Sequence, residues 1–179
     1  MKEMKILLSV LWINIVMLSS CVNPERVIPG TWTVTQAKID GQEEVSVSDE
    51  AQDSTCGQMN ASVKFKITSG TITFNENGTY TFKTTYSATV SRTTDNCGSY
   101  SIPLTQTDTA SGTWTLLGKD KIVLKPSNSN TQAECTIVKI KRKKMVITCP
   151  CTKDCQVDLL QDGDIDYVWK ETEFTMEKQ

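Results

Sequence analysis

From residue 80 to residue 90 the chain alternates with period two. Tyr80, Phe82, Thr84, Tyr86, Ala88 and Val90 are separated by residues that are mostly polar or small. Alternation of this kind puts every second side chain on one face of a strand, and it is unusually long for a half-buried one. Ile72 and Phe74 precede it, followed by a turn containing Asn77-Gly78, a pair that tolerates positive φ and marks a hairpin. Trp114 to Leu117, Gly118-Lys119-Asp120 and Ile122 to Leu124 predict a second hairpin. Cys135 to Ile140, a basic turn and Met145 to Cys149 predict a third. The 25 threonines suit a pleated surface better than a helix. Only the segment 152–161 reads as a short helix or irregular excursion. A run of antiparallel hairpins leaves exposed edges, which a closed barrel removes and a two-sheet sandwich manages.

The N-terminus carries a different message. Lys2 and Lys5 precede an apolar run, Ile6 to Leu18, of 13 residues. A spanning helix wants roughly 20, so the run has the length of a signal-peptide core and is set aside from the fold. Leu18-Ser19-Ser20-Cys21 resembles the lipobox of bacterial lipoproteins, with cleavage before Cys21 and lipid on its sulfur. The expected organisation is a signal peptide over residues 1–20, a tether over 21–29 containing two prolines, and one domain over 30–179. Cleavage leaves 17 basic and 20 acidic residues, a net charge of −3, which predicts no general affinity for nucleic acid. Val22 is not the aspartate that keeps many lipoproteins on the inner membrane, and the tether lacks a surface-directing acidic run. The expectation is a lipid-anchored envelope protein on the outer membrane, facing the periplasm.

The chain has no histidine, which removes the Ser-His-Asp and Cys-His arrangements and the commonest metal ligand. No carboxylate sits in a catalytic motif, so the chain reads as a non-enzyme without a cofactor. Besides Cys21, six cysteines remain: Cys56, Cys97, Cys135, Cys149, Cys151 and Cys155. An even number in an exported domain predicts three disulfides, with 15 connectivities possible. Cys56 and Cys97 flank the long hairpin and are natural partners. Cys135 can bridge to Cys149 or Cys151 across the third hairpin, with Cys155 taking the remainder. The rival reading of Cys149, Cys151 and Cys155 is a soft-metal or thiol-exchange cluster.

Asp158, Asp162, Asp164 and Asp166 fit a calcium loop at three positions, but Leu160 and Trp169 fall where ligands are needed, so an acidic turn is expected. Lys139, Lys141, Arg142, Lys143 and Lys144 form a basic run, read as a solvated hairpin tip or as a contact for anionic headgroups. Asp53-Ser54-Thr55 and Asp108-Thr109-Ala110 match a pattern that some Gram-negative bacteria O-glycosylate.

Gly30-Thr31-Trp32-Thr33 is similar to the Gly-x-Trp signature of the first lipocalin strand. Its order with residues 71–80 and with Gly112-Thr113-Trp114-Thr115-Leu116 resembles lipocalin-like bacterial lipoproteins over residues 30–147. The resemblance implies an all-β, antiparallel, up-and-down barrel of about eight strands. It also implies a small apolar or amphipathic ligand inside, facing Trp32, Phe74, Tyr80, Phe82, Tyr86 and Trp114. Lipocalins pack the first-strand Trp under an arginine of the last strand; residues 167–176 have none, and Lys170 is the nearest cation. The two Gly-Thr-Trp-Thr copies read as two strand starts with similar packing needs. Alternating aromatics look the same in a pocket and in a core, since small barrels can be filled by their own side chains. A filled barrel would favour an envelope protein partner instead, bound through exposed loops formed by the polar segments 42–60 and 93–110, held by cysteines.

Overall fold

The alternating stretch makes up most of a 16-residue strand, and its neighbours are longer still, at 18 and 20 residues. The computed structural model is described here for residues 22–53, 55–151, 156–157 and 167–179. Among these residues are one short helix, α1 (Pro24–Val27), and eleven strands: β1 (Gly30–Ile39), β2 (Val45–Asp53), β3 (Gly57–Phe74), β4 (Thr79–Thr94), β5 (Gly98–Leu117), β6 (Lys121–Pro126), β7 (Ala133–Lys141), β8 (Lys144–Pro150), β9 (Gln156–Val157), β10 (Tyr167–Val168) and β11 (Glu171–Lys178). The expected signal peptide and Cys21 lie outside the described residues, as do Cys155, Ser54 and the four aspartates from Asp158 to Asp166. So does most of segment 152–161, of which Gln156–Val157 is strand rather than helix.

Eight strands close a ring in the order β1-β3-β4-β5-β6-β7-β8-β11. Closure comes from β1, which pairs with β3 from Gly30↔Phe74 to Val34↔Gly70 and with β11 from Trp32↔Lys178 to Ile39↔Thr172. The protein is therefore an all-β, antiparallel barrel. The first hairpin turns at Asn75–Gly78, where only Gly78 takes a positive φ, 79°; Asn77 instead accepts from the Thr79 N–H through its side chain at 3.1 Å.

The ring uses only part of its longest strands. Beyond it, residues 57–67 of β3, 85–94 of β4 and 98–110 of β5 continue with β2 as a four-stranded arm. The polar segments 42–60 and 93–110, expected as loops, are thus largely strand. Their threonines and serines are compatible with a ladder, and Val45, Val47, Tyr100, Ile102 and Leu104 carry the alternation. At the arm's tip the Cys56–Cys97 disulfide ties the β2–β3 turn to the β4–β5 turn. The outer edge of β5 is blunted by Pro103. The Asp95 N–H donates to Gln58 O, so odd residues of β4 face β3 and even ones face β5. With Val90 opposite Ile102, Pro103 turns its missing N–H to the free edge, where no ladder bond is lost.

Two apolar clusters result. The larger fills one end of the ring and includes Ile28, Trp32, Phe74, Tyr80, Trp114, Ile122, Met145 and Met176. The smaller lies on one face of the arm, around Val45, Val47, Ala61 and Val63, with Phe65, Tyr167 and Trp169 against it. Residues 24–29 belong to the packed unit rather than to a free tether, since Pro24 and Ile28 are buried.

Candidate ligand-binding site

The six residues expected to face the interior divide into two layers. Trp32, Phe74, Tyr80 and Trp114 are all buried within the larger cluster. Phe74 and Trp114 meet edge to face at 5.3 Å. Both indoles spend their N–H on backbone: Trp32 Nε1 donates to Ile28 O at 2.7 Å, and Trp114 Nε1 to Asn75 O at 3.0 Å. These four rings form a packed floor, closed from outside by α1 and the β3–β4 turn.

The copied Gly-Thr-Trp motif serves this floor twice, but only Gly30 starts a strand. Gly112 lies deep inside β5, where a Cβ would come within 2.1 Å of Lys125 O, so β6 can approach only a glycine there. The cation over the first tryptophan is Lys178, not Lys170. Its Nζ lies 5.4 Å from the Trp32 ring centre and donates to Val27 O at 2.7 Å. Lys178 stands opposite Trp32 in the β1–β11 register, whereas Lys170 precedes β11 and gives its backbone N–H to Asp40.

Phe82 and Tyr86 occupy the layers above the floor and remain only partly buried. Phe82 meets Phe174 of β11 across the barrel, edge to face at 5.8 Å. Between Phe82 and Tyr86 on the same strand face stands Thr84, fully buried, whose Oγ1 has no hydrogen-bond partner among the described residues. Burial raises the pKa of Tyr86, the Asp108 carboxylate adds to the rise, and the neighbouring Thr84 hydroxyl eases it. That proximity falls short of hydrogen-bond geometry, so the Thr84 hydroxyl counts as unsatisfied. Thr84 belongs to the alternating set read from the sequence. Phe174 was missed, because the short stretch after residue 167 gives no sign of which face it presents.

At the far end of the barrel a clamp holds the chain that returns to β11. Asp40 has φ 48° and turns its carboxylate onto that chain. Tyr167 Oη donates to Asp40 Oδ2 at 2.7 Å, and the N–H groups of Lys170 and Glu171 donate to Oδ1 at 2.9 and 3.1 Å. Burial raises the Asp40 pKa, but these three hydrogen bonds outweigh it and leave the value below the ordinary one. Burial, the hydrogen bond to Asp40 and its charge push Tyr167 up to about 12. The clamp sets Tyr167 and Trp169 beside Phe65, with Phe65 and Trp169 at 5.4 Å, so an aromatic trio borders this end of the barrel.

Surface clefts among the described residues lie elsewhere. One of about 560 Å³ runs between α1 and the β3–β4 turn, with Glu25, Arg26 and Glu76 on its walls. Another, about 280 Å³, lies over β3, β4 and β5 and is lined mainly by hydroxyls and Lys83. Neither offers an enclosed apolar wall. The sulfurs offer no metal site among the described residues either: Cys135 is bonded to Cys149, its cross-strand neighbour on β8, and Cys151 is disulfide-bonded too. Asp108-Thr109-Ala110 lies within β5, with Thr109 exposed.

A family model described as a lipocalin-like domain matches residues 28–147 of the chain. No curated protein and no solved structure matches it.

Proposed function

The chain belongs to the lipocalin-like domain family, and on that premise we propose that it is an envelope lipoprotein, anchored at Cys21, that binds a small apolar or amphipathic molecule above the aromatic floor of its barrel. The observation that carries the reading is the buried Thr84 hydroxyl, which has no hydrogen-bond partner among the described residues. A buried hydroxyl without a partner costs about 1–3 kcal/mol, a cost that a ligand's polar group would relieve. Phe82, Phe174 and Tyr86 supply apolar contact around it, and the Phe65–Tyr167–Trp169 trio borders the way in. Ligand pockets combine these elements, an apolar lining with few placed polar groups. The chemistry is binding rather than catalysis, and the membrane proposed to hold the anchor is the outer membrane on its periplasmic side.

Titration with a fluorescent fatty-acid analogue tests the reading. Wild type is expected to bind it saturably, and Thr84→Val to bind it more weakly without losing stability. Equal affinity in the two proteins would remove Thr84 from the site.

A second reading, docking of an envelope protein, is favoured by one observation. Tyr100, Ile102 and Leu104 are 51 %, 47 % and 52 % exposed in a row on β5, more apolar surface than a solvated edge needs. Substituting serine at all three would abolish such docking and leave fatty-acid binding intact.

A further inference from the structure

The basic turn between β7 and β8 lies at the same end of the barrel as α1. Lys178 joins the two: its Nζ donates to Val27 O at 2.7 Å, and its backbone N–H donates to Lys143 O at 3.0 Å. Only Val22 and Asn23 separate Cys21 from α1, so any anchor on Cys21 must hold this end close to a bilayer. Lys141, Arg142, Lys143 and Lys144 are all exposed, and none makes an ion pair among the described residues. In the described ladders the one carboxylate set opposite the turn is Glu177, which faces Lys144 in the β8–β11 register, against four cations in the turn itself. Two exposed apolar side chains stand nearby, Leu117 at 52 % and Val138 at 59 %. They flank the β5–β6 turn, which is bonded to β7 through Ile137 N–H and Asp120 O. Acidic residues gather towards the other end, with Glu43, Glu44, Asp49 and Glu50 before and within β2.

We propose that the closed end of the barrel is a membrane-docking face. Its 141–144 turn meets the phosphates of anionic phospholipids, while Leu117 and Val138 enter the interface. The orientation rests on the anchor reading at Cys21; the charge complementarity does not. Each cation near an anionic surface is worth about 1 kcal/mol, roughly fivefold in partitioning. The acidic end is repelled by the same surface, so the barrel stands with its ligand-binding end away from the bilayer.

The test uses the unlipidated chain from Val22, which retains every described strand pairing of the ring, all of them between Gly30 and Lys178. Binding is measured to vesicles of phosphatidylcholine and to vesicles mixed with phosphatidylglycerol. The chain is expected to bind the mixed vesicles only, less tightly as salt rises. Lys141→Gln, Arg142→Gln, Lys143→Gln and Lys144→Gln together should weaken binding on the order of 100-fold or more. The melting temperature should not change, because all four side chains are exposed. If that variant misfolds, Lys143→Gln alone should still cost about fivefold. No binding by the wild type, or undiminished binding by the folded variants, would overturn the proposal. Because this chain carries no lipid, such a failure leaves the anchor reading standing, and that reading fails separately if the mass of the membrane-extracted protein shows no acyl group.

Discussion

Thr84 bears a cost that its neighbours do not. On either side of it, Phe82 and Tyr86 contribute apolar surface, while its own hydroxyl is buried without a partner among the described residues. Thr84→Val keeps the shape and removes the unsatisfied group, so in the ligand-free protein it should raise stability by about 1 kcal/mol in urea unfolding. A loss of stability would mean that the hydroxyl is already satisfied. Lys178 makes the opposite kind of contribution. Its ammonium donates to Val27 O and lies over Trp32, so Lys178→Met should cost about 2 kcal/mol, read as a lower urea midpoint. These two residues also mark what could be read from sequence. Thr84 was visible in the alternation 80–90, since strand faces follow from period two alone. Lys178 was not, because facing Trp32 depends on the register between β1 and β11, which joins residues nearly the whole chain apart.

At the scale of elements, the strands that alternate cleanly were legible and the polar ones were not. Residues 42–60 and 93–110 are rich in Ser, Thr, Gln and Asp, a composition that suggests loops, yet they form much of the arm. What decides the outcome is pairing with the long β3 and β4, a tertiary effect that local composition does not carry. The Cys56–Cys97 bridge closes a separation of 41 residues at the arm's tip, with a chain-entropy value of about 4 kcal/mol. Cys56→Ser with Cys97→Ser should therefore speed amide exchange in the arm while the ring strands β6, β7 and β8 stay protected. Uniform loss of protection would show that arm and ring unfold as one unit. The Asp40–Tyr167 clamp is pH-dependent at both ends. Tyr167 has a folded pKa of about 12 against an ordinary 10, so its contribution is full below pH 10 and is lost as pH rises towards 12. Asp40 sits below its ordinary 3.8, so its contribution is present above that value and is lost as pH falls past it. In ultraviolet titration, Asp40→Asn should bring one tyrosine from about 12 back towards 10; an unchanged titration would contradict the clamp.

The whole molecule has two unlike ends. One is closed by α1, by the aromatic floor and by the Trp32–Lys178 contact. The other carries the arm, the aromatic trio and the acidic residues of β2. That polarity underlies both proposals: the basic turn lies at the closed end, where the proposed anchor would hold the chain, and the proposed ligand site lies towards the other. The split between floor and site could not be read from the sequence, because Phe74 and Phe82 occupy the same kind of alternating position. Their difference lies in which layer of the barrel each reaches. Comparing them gives the most direct test of the account. Phe74→Ala empties a packed floor and should cost about 3–5 kcal/mol, seen as a large drop in melting temperature. Phe82→Ala removes a partly exposed ring, so it should lower the melting temperature far less while reducing the wild type's binding of a fluorescent fatty-acid analogue by at least about tenfold, or roughly 1.4 kcal/mol. If both variants lose stability equally and the wild type binds no analogue, the barrel is a filled core and the ligand-binding account is wrong.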